Sequence, residues 1–318
     1  MERLLSGLRG AGEPTRLRLL ALCARAELTV SELTQILGQS QPRVSRHLKL
    51  LCGSGLLDRF REGTWAFYRL SEQGEGAHLA RTLVDLIPAH DPVLGRDIER
   101  LEAVKAARAE AAAEYFRANA AQWDTIRALY VPESDVERVL LDLFGDQAIG
   151  EFLDIGTGTG RILEIFAARV RRGIGIDLSH EMLAIARAKL ERAALPHCQV
   201  RRADMYSLPF ANASVDGIVI HQVLHFADDP AAAIVEAARV LRPGGRMVVV
   251  DFAPHDLEFL RVDHAHRRLG FGDDEIAECC RAAGLEVEET LHLDGDPLTV
   301  SVWPLWRRAA DDSGRVAA

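Results

Sequence analysis

The run LDIGTGTGR, residues 153–161, constrains this chain more than any other. A short apolar stretch ends in Asp154, glycines follow at 156, 158 and 160, and an amphipathic run, RILEIFAARV, begins at Arg161. Strand, glycine turn and helix start in that order predict the nucleotide shelf of an α/β sheet. Glycine turns sharply and lets a ligand approach a backbone that carries no Cβ. A dinucleotide fingerprint needs another glycine at the third position after Gly158, where Arg161 stands. The spacing therefore points to a different nucleotide.

With 318 residues the chain has room for two domains. Its apolar share of 48% is that of an ordinary globular protein. No apolar run approaches the roughly 20 residues that cross a bilayer. The start, MERLLSGLRGAGEPTR, lacks the continuous apolar core and small-residue cleavage site of a secretory signal. Cysteines at 23, 52, 198, 279 and 280 are odd in number, and only the last two are close in sequence. Reduced thiols and a cytoplasmic protein without a membrane partner are expected. The net charge of −9 is uneven: residues 1–88 hold 12 Lys or Arg against 9 Asp or Glu, +3, so the remainder carries −12. A mildly basic head on an acidic body confines any search for polyanions to the head.

That head reads as helices followed by a hairpin. PTRLRLLALCARA at 14–26 sets Leu17, Leu20 and Leu22 on an apolar helix face. Thr29 with Glu32 forms a capping-box pattern for a second helix, which stops at Gly38. Ser40 is the expected cap of a third helix, with Pro42 in its first turn. Val44, Leu48 and Leu51 point inward, leaving Gln41, Arg43, Ser45, Arg46 and Lys49 for phosphates and base edges. LLDRFREGTWAFYRLS then predicts two strands around Glu62-Gly63-Thr64, with Arg59 and Arg61 reaching the DNA backbone.

Residues 12–72, in this order and spacing, resemble the winged helix-turn-helix of ArsR/SmtB-type bacterial repressors. The resemblance implies double-stranded DNA as a partner and a homodimer. It also raises metal sensing. AELTVSEL holds no cysteine where arsenic sensors carry them, Cys23 stands alone, and His78 and His90 lack carboxylate partners. No metal site is expected.

EGAHLARTLVDLI at 75–87 predicts an amphipathic helix of the kind that family uses for dimer contacts, ended by the two prolines of PAHDP. A run rich in Ala, Glu and Arg from Gly95 to about Arg117 predicts a solvent-exposed helix. The aromatics Tyr115, Trp123 and Tyr130 are candidates for a lid over a bound ligand or for ordinary packing.

Beyond it the motifs accumulate. RRGIGIDLS supplies a second strand ending in Asp177, an acidic tip placed to accept hydrogen bonds from a ribose, with Met182 just beyond. VRRADMYSLPF sets Asp204 and Met205 after a third strand, and VDGIVIHQVLHFAD gives a fourth. RVLRPGGRMVVVDF reads as a helix end, a Pro-Gly-Gly turn and a fifth strand. LEVEETLHLDGDPLTVSVWPLW alternates as a closing hairpin around Asp294-Gly295. From about residue 140 to 305 this resembles the class I S-adenosylmethionine (SAM) methyltransferases, of the type akin to ubiquinone/menaquinone-biosynthesis enzymes. The resemblance implies SAM as cofactor: Asp154, Gly156, Gly158 and Gly160 around its amino-acid and ribose part, Asp177 on the ribose, and Met182, Asp204 and Met205 at the adenine.

The expected fold is α/β, a seven-stranded Rossmann-like methyltransferase domain preceded by a winged helix-turn-helix. Its divisions are 1–88 for DNA binding, 89–135 for a helical connector and lid, and 136–318 for the methyltransferase. The expected function is an ArsR-family regulator whose methyltransferase acts on a small molecule. Alternatives are a non-catalytic repressor sensing SAM or S-adenosylhomocysteine, and a metabolic methyltransferase with a vestigial winged helix. His221, at the end of the fourth strand, is the candidate base, with His225, His264 and His266 nearby in sequence.

Overall fold

In the computed structural model, which describes residues 1–62, 65–71, 74–88, 90–120 and 132–308, the chain divides into Met1–Ala111 and Ala112–Ala318. The first unit runs α1 (Glu2–Ala11), α2 (Pro14–Cys23), β1 (Leu28–Thr29), α3 (Val30–Leu37), α4 (Gln41–Gly53), β2 (Leu57–Glu62), β3 (Trp65–Leu70) and α5 (Gly74–Asp85). The strands pair antiparallel in the order β1-β3-β2, so the wing hairpin is joined by a short strand leading into α3. The turn at Gly63-Thr64 lies outside the described residues. The capping box of α3 is formed: the Thr29 hydroxyl accepts from Glu32 N–H and the Glu32 carboxylate accepts from Thr29 N–H. Gly38 ends the helix at φ 64°, a conformation that costs glycine little.

Two local expectations need correction, and a third is exceeded. Ser40 occupies the N-cap of α4 but its side chain makes no capping bond; Pro42, lacking an N–H, removes one donor from that turn. The apolar face expected on α2 is present: Leu20 and Leu22 are buried with Leu17 packed beside them, and burial extends over all of Leu19–Cys23. The reason is that α1, α4, α5 and β3 all pack against this helix. The charged helix of the connector is α6 (Pro92–Asn119), and its first half is no solvated spacer. Leu94, Leu101 and Val104 are buried, the latter two in the core of the first unit. Its charges are paired: Arg18 forks onto Asp97 at 2.5 and 2.7 Å, Arg100 donates to the Ile36 carbonyl at 3.0 Å, and Arg108 pairs with Glu32.

The second unit continues with α7 (Glu133–Phe144), β4 (Ile149–Ile155), α8 (Arg161–Phe166), β5 (Val170–Asp177), α9 (His180–Arg192), β6 (Cys198–Arg202) and β7 (Val215–His221). A 3-10 turn (Leu224–Phe226) follows, then α10 (Pro230–Val240), β8 (Leu241–Phe252), α11 (Phe259–Asp263), α12 (Asp273–Ala282), β9 (Leu285–Val287), β10 (Leu291–Leu293) and β11 (Val300–Arg307). The sheet is ordered β10-β11-β8-β7-β4-β5-β6, parallel from β8 to β6 and antiparallel at β11. Among the described residues it has eight strands where seven were expected, because the outer leg of the closing hairpin is split: β9 and β10 both pair with β11. The Pro243-Gly244-Gly245 turn lies within the span of β8, where the register against β7 shifts. Side chains of the central strands alternate between two buried cores. Val219, Val248 and Val250 enter one, Ile218, Ile220, Met247 and Val249 the other. A sheet covered on both faces reads as continuous apolar runs, which is why these strands stand out in the sequence.

Candidate functional site

β4 continues to β5 on one side and has β7 on the other, so the strand order reverses at its carboxyl end. Such a switch point leaves a crevice beyond the strand ends. The glycine loop sits there. Gly156, Gly158 and Gly160 have φ of 73°, 52° and 84°, all in the left-handed region. At Gly156 the closeness matters as well as the φ, because a Cβ would lie 2.2 Å from Val223 Cγ2.

Hydrogen bonds fix the loop before any ligand arrives. Asp154 is 1% exposed and accepts from the Thr157 hydroxyl at 2.5 Å. Thr157 N–H donates to the Ile176 carbonyl at 2.8 Å, and Gly160 N–H to the Thr157 carbonyl at 2.8 Å. Gly158 N–H donates to Asp177 Oδ2 at 2.9 Å, tying the loop to the tip of β5. The second Asp177 oxygen accepts from Ser179 N–H at 2.8 Å. Burial pushes the Asp177 carboxyl above its ordinary range, against the pull of these backbone donors. Among the described residues no cation pairs with it, so each oxygen keeps acceptor capacity for a hydroxyl.

The remaining predicted residues spread along the same edge. Met182 is buried in the first turn of α9, which Ser179 caps. Asp204 is exposed just past β6, with Oδ1 accepting from Tyr206 N–H at 3.0 Å, and Met205 beside it is half-buried. His221 is buried at the end of β7. Tyr115 hydrogen-bonds His264 Nδ1 at 2.7 Å, and Phe116 packs edge-on against Phe226. Trp123 and Tyr130 lie outside the described residues.

Sequence reasoning missed three participants. Val223 seats the glycine loop, Thr157 locks it, and Asp251 sits fully buried at the end of β8 with His225 on it. A carboxylate inside the otherwise apolar VVVDF was the available signal for the last, since a buried charge needs a partner.

In the first unit, Gln41, Arg43, Ser45, Arg46 and Lys49 are exposed along α4 while Val44, Leu48 and Leu51 are buried. Arg59 is exposed on β2. The side chain of Arg61 lies outside the described residues. Among the described residues Arg43, Arg46 and Lys49 enter no ion pair, unlike the arginines that hold α6.

Two segments of the chain match known families. Residues 13–59 match the family described as bacterial regulatory protein, arsR family, and residues 153–249 match the methyltransferase domain family. A phosphatidylethanolamine N-methyltransferase of Cereibacter sphaeroides is 38% identical over 34% of this chain and 53% of its own length. A malonyl-[acyl-carrier protein] O-methyltransferase of Hahella chejuensis is 33% identical over 57% of this chain and 66% of its own. The chain spans 36% to 66% of the length of these and two further curated relatives. Among solved structures, a geranyl diphosphate C-methyltransferase of Streptomyces coelicolor superposes with a TM-score of 0.50 at 17% identity, over 55% of this chain and 77% of that one. That likeness is one of fold. The chain thus joins a segment matching the arsR family of bacterial regulatory proteins to one matching the methyltransferase domain family.

Proposed function

We propose that this protein is a DNA-binding regulator whose second domain transfers a methyl group from SAM to a small molecule. The observation that carries the reading is the prearranged loop: three left-handed glycines tied to the carboxylate of Asp177, which no cation pairs among the described residues. Asp177 takes the two ribose hydroxyls. Gly156 and Gly158 admit the amino-acid and ribose part of the cofactor, and Gly160 turns the chain into α8. Asp154 acts on the ligand through the loop, since its carboxylate already holds Thr157. Met182, Asp204 and Met205 border the adenine. SAM brings its own leaving group, so alignment of an acceptor behind the methyl carbon supplies much of the rate.

A hydrogen bond to a charged group is worth about 1.5–3 kcal/mol. Asp177→Ala is therefore expected to weaken SAM binding by about 10- to 100-fold, read by calorimetric titration. Unchanged affinity would remove Asp177 from the ribose.

On the DNA side, unpaired Arg43, Arg46 and Lys49 on α4 support phosphate and base contacts, with Gln41 and Ser45 between them and Arg59 and Arg61 on the wing. Arg43→Ala with Arg46→Ala is expected to weaken DNA binding. The slope of log affinity against log salt should fall by about one for each phosphate that is no longer neutralised. A slope equal to that of wild type would place neither side chain on a phosphate. α1 exposes Leu4, Leu5 and Leu8, an apolar stripe that suits a homodimer. No described helix is long and apolar enough to cross a membrane, and we take the protein to be cytoplasmic.

Footprinting with and without SAM, run beside a turnover assay, tests the whole. The proposal predicts salt-sensitive protection and methyl transfer. Protection without turnover selects a sensor of SAM or S-adenosylhomocysteine. Turnover without specific protection selects a metabolic enzyme with a vestigial wing.

A further inference from the structure

We infer that His225, oriented by Asp251, is the base that takes the proton from the methyl acceptor. The inference rests on the methyltransferase reading above and assigns a residue to its acceptor side.

The geometry begins at the cofactor loop. Val223 lies against Gly156, and His225 follows two residues later, at most about 7 Å along the chain. β7 and β8 are parallel neighbours, so the turn carrying His225 and the end of β8 carrying Asp251 share the sheet edge of the glycine loop. Asp251 is 0% exposed. Its Oδ1 lies 2.7 Å from His225 Nδ1 and accepts from the N–H of the adjacent Phe252 at 2.8 Å; Oδ2 accepts from His225 N–H at 3.2 Å. A buried carboxylate accepting at this nitrogen holds the proton on Nδ1 and leaves the lone pair on Nε2. Among the described residues no group hydrogen-bonds to Nε2.

The surroundings keep this dyad the polar centre of an aromatic nest. The His266 ring stacks on His225 at 4.1 Å, and Phe226 and Phe252 flank it. Arg267 and Arg268 N–H groups donate to the His225 carbonyl at 2.8 and 3.0 Å, fixing the backbone of the turn. Asp251 from β8 and His266 touch the ring, His255 interacts with it electrostatically, and Arg261 on α11 acts on His255 and His266 in turn. Burial and the neighbouring His225 hold His255 down at about 4 and push His266 lower still, so both are neutral at physiological pH. Of these three histidines, His225 is the one whose ring is hydrogen-bonded to a carboxylate.

The step then balances. Nε2 takes the proton of the acceptor's O–H, N–H or S–H group, and the freed electron pair attacks the methyl carbon. The carbon–sulfur bond breaks with its pair going to sulfur, giving S-adenosylhomocysteine. The imidazolium, stabilised by Asp251, returns its proton to water. The inferred acceptor class is a protonated nucleophile on a small apolar or aromatic body, which the phenylalanine and histidine rings would hold.

The test needs no acceptor. Histidine-labelled full-length protein is titrated by NMR in complex with S-adenosylhomocysteine, a neutral thioether, and with sinefungin, whose amine puts a positive charge near the methyl position. A base within reach of the acceptor lies close enough to that charge for its titration midpoint to fall by about half a pH unit or more with sinefungin. His225 is also expected as the Nδ1–H tautomer, a preference that Asp251→Asn removes. Equal midpoints in the two complexes, or the opposite tautomer in wild type, would overturn the inference while leaving cofactor binding intact. Failure of both ligands to bind by calorimetry would instead sink the methyltransferase reading, and this inference with it.

Discussion

Gly156→Ala is expected to destabilise the second unit by about 2–5 kcal/mol and to lower SAM affinity by at least about tenfold. Two effects add at this position. A φ of 73° costs an L-residue about 1–2 kcal/mol, and the new Cβ would stand 2.2 Å from one Val223 methyl and 2.8 Å from the other. Val223 is β-branched and cannot swing its methyls away cheaply, and overpacking of this kind costs about 1–3 kcal/mol. Because Gly158 N–H is bonded to Asp177, a displaced loop also displaces the carboxylate proposed to hold the ribose. Urea unfolding and calorimetric titration read the two consequences separately. Combining the substitution with Val223→Ala relieves the clash and leaves the backbone strain, so about half the stability loss should return. Full recovery would show that φ at Gly156 carries no cost. No recovery would show that Val223 does not seat the loop.

Arg18→Ala should be the most damaging single change in the first unit, at about 3–5 kcal/mol. Asp97 is 1% exposed and meets Arg18 through both oxygens. Removing the guanidinium leaves a buried carboxylate without its fork of donors, whereas Asp97→Ala leaves a partly exposed arginine that water still reaches. The second variant is expected to lose less. Arg18→Met with Asp97→Leu replaces the pair by apolar volume and should fall within about 1 kcal/mol of wild type. Denaturant titration of the full chain, following the transition of the first unit, ranks the three. A loss below about 1 kcal/mol for Arg18→Ala would mean that the pair contributes nothing to anchoring α6.

How far the sequence discloses this structure depends on the range of the interaction involved. The glycine loop, the Asp177 tip and the capping box of α3 are local, set by residues within a few positions of one another, and all three are legible. The parallel strands are legible because burial on both faces makes them continuously apolar. The role of α6 is not, because alternating charges on a helix look the same whether they face water or distant partners. Asp97 and Arg108 find Arg18 and Glu32 across 79 and 76 residues of chain. The same limit applies at the crevice. His221 ends β7 and is the obvious candidate from its own strand, but the histidine with a buried carboxylate is His225, and Asp251 comes from a different strand 26 residues away. Val223 against Gly156 likewise joins β4 to the turn after β7, a contact that no spacing rule announces.

The central claim is that the carboxyl edge of the sheet holds an adenosyl sulfonium ligand. Equilibrium dialysis of the intact protein against radiolabelled SAM tests it most directly. Saturable binding, approaching one ligand per chain and displaced by S-adenosylhomocysteine, is the predicted result. Absence of retained label at millimolar cofactor, with the protein folded, would contradict the account.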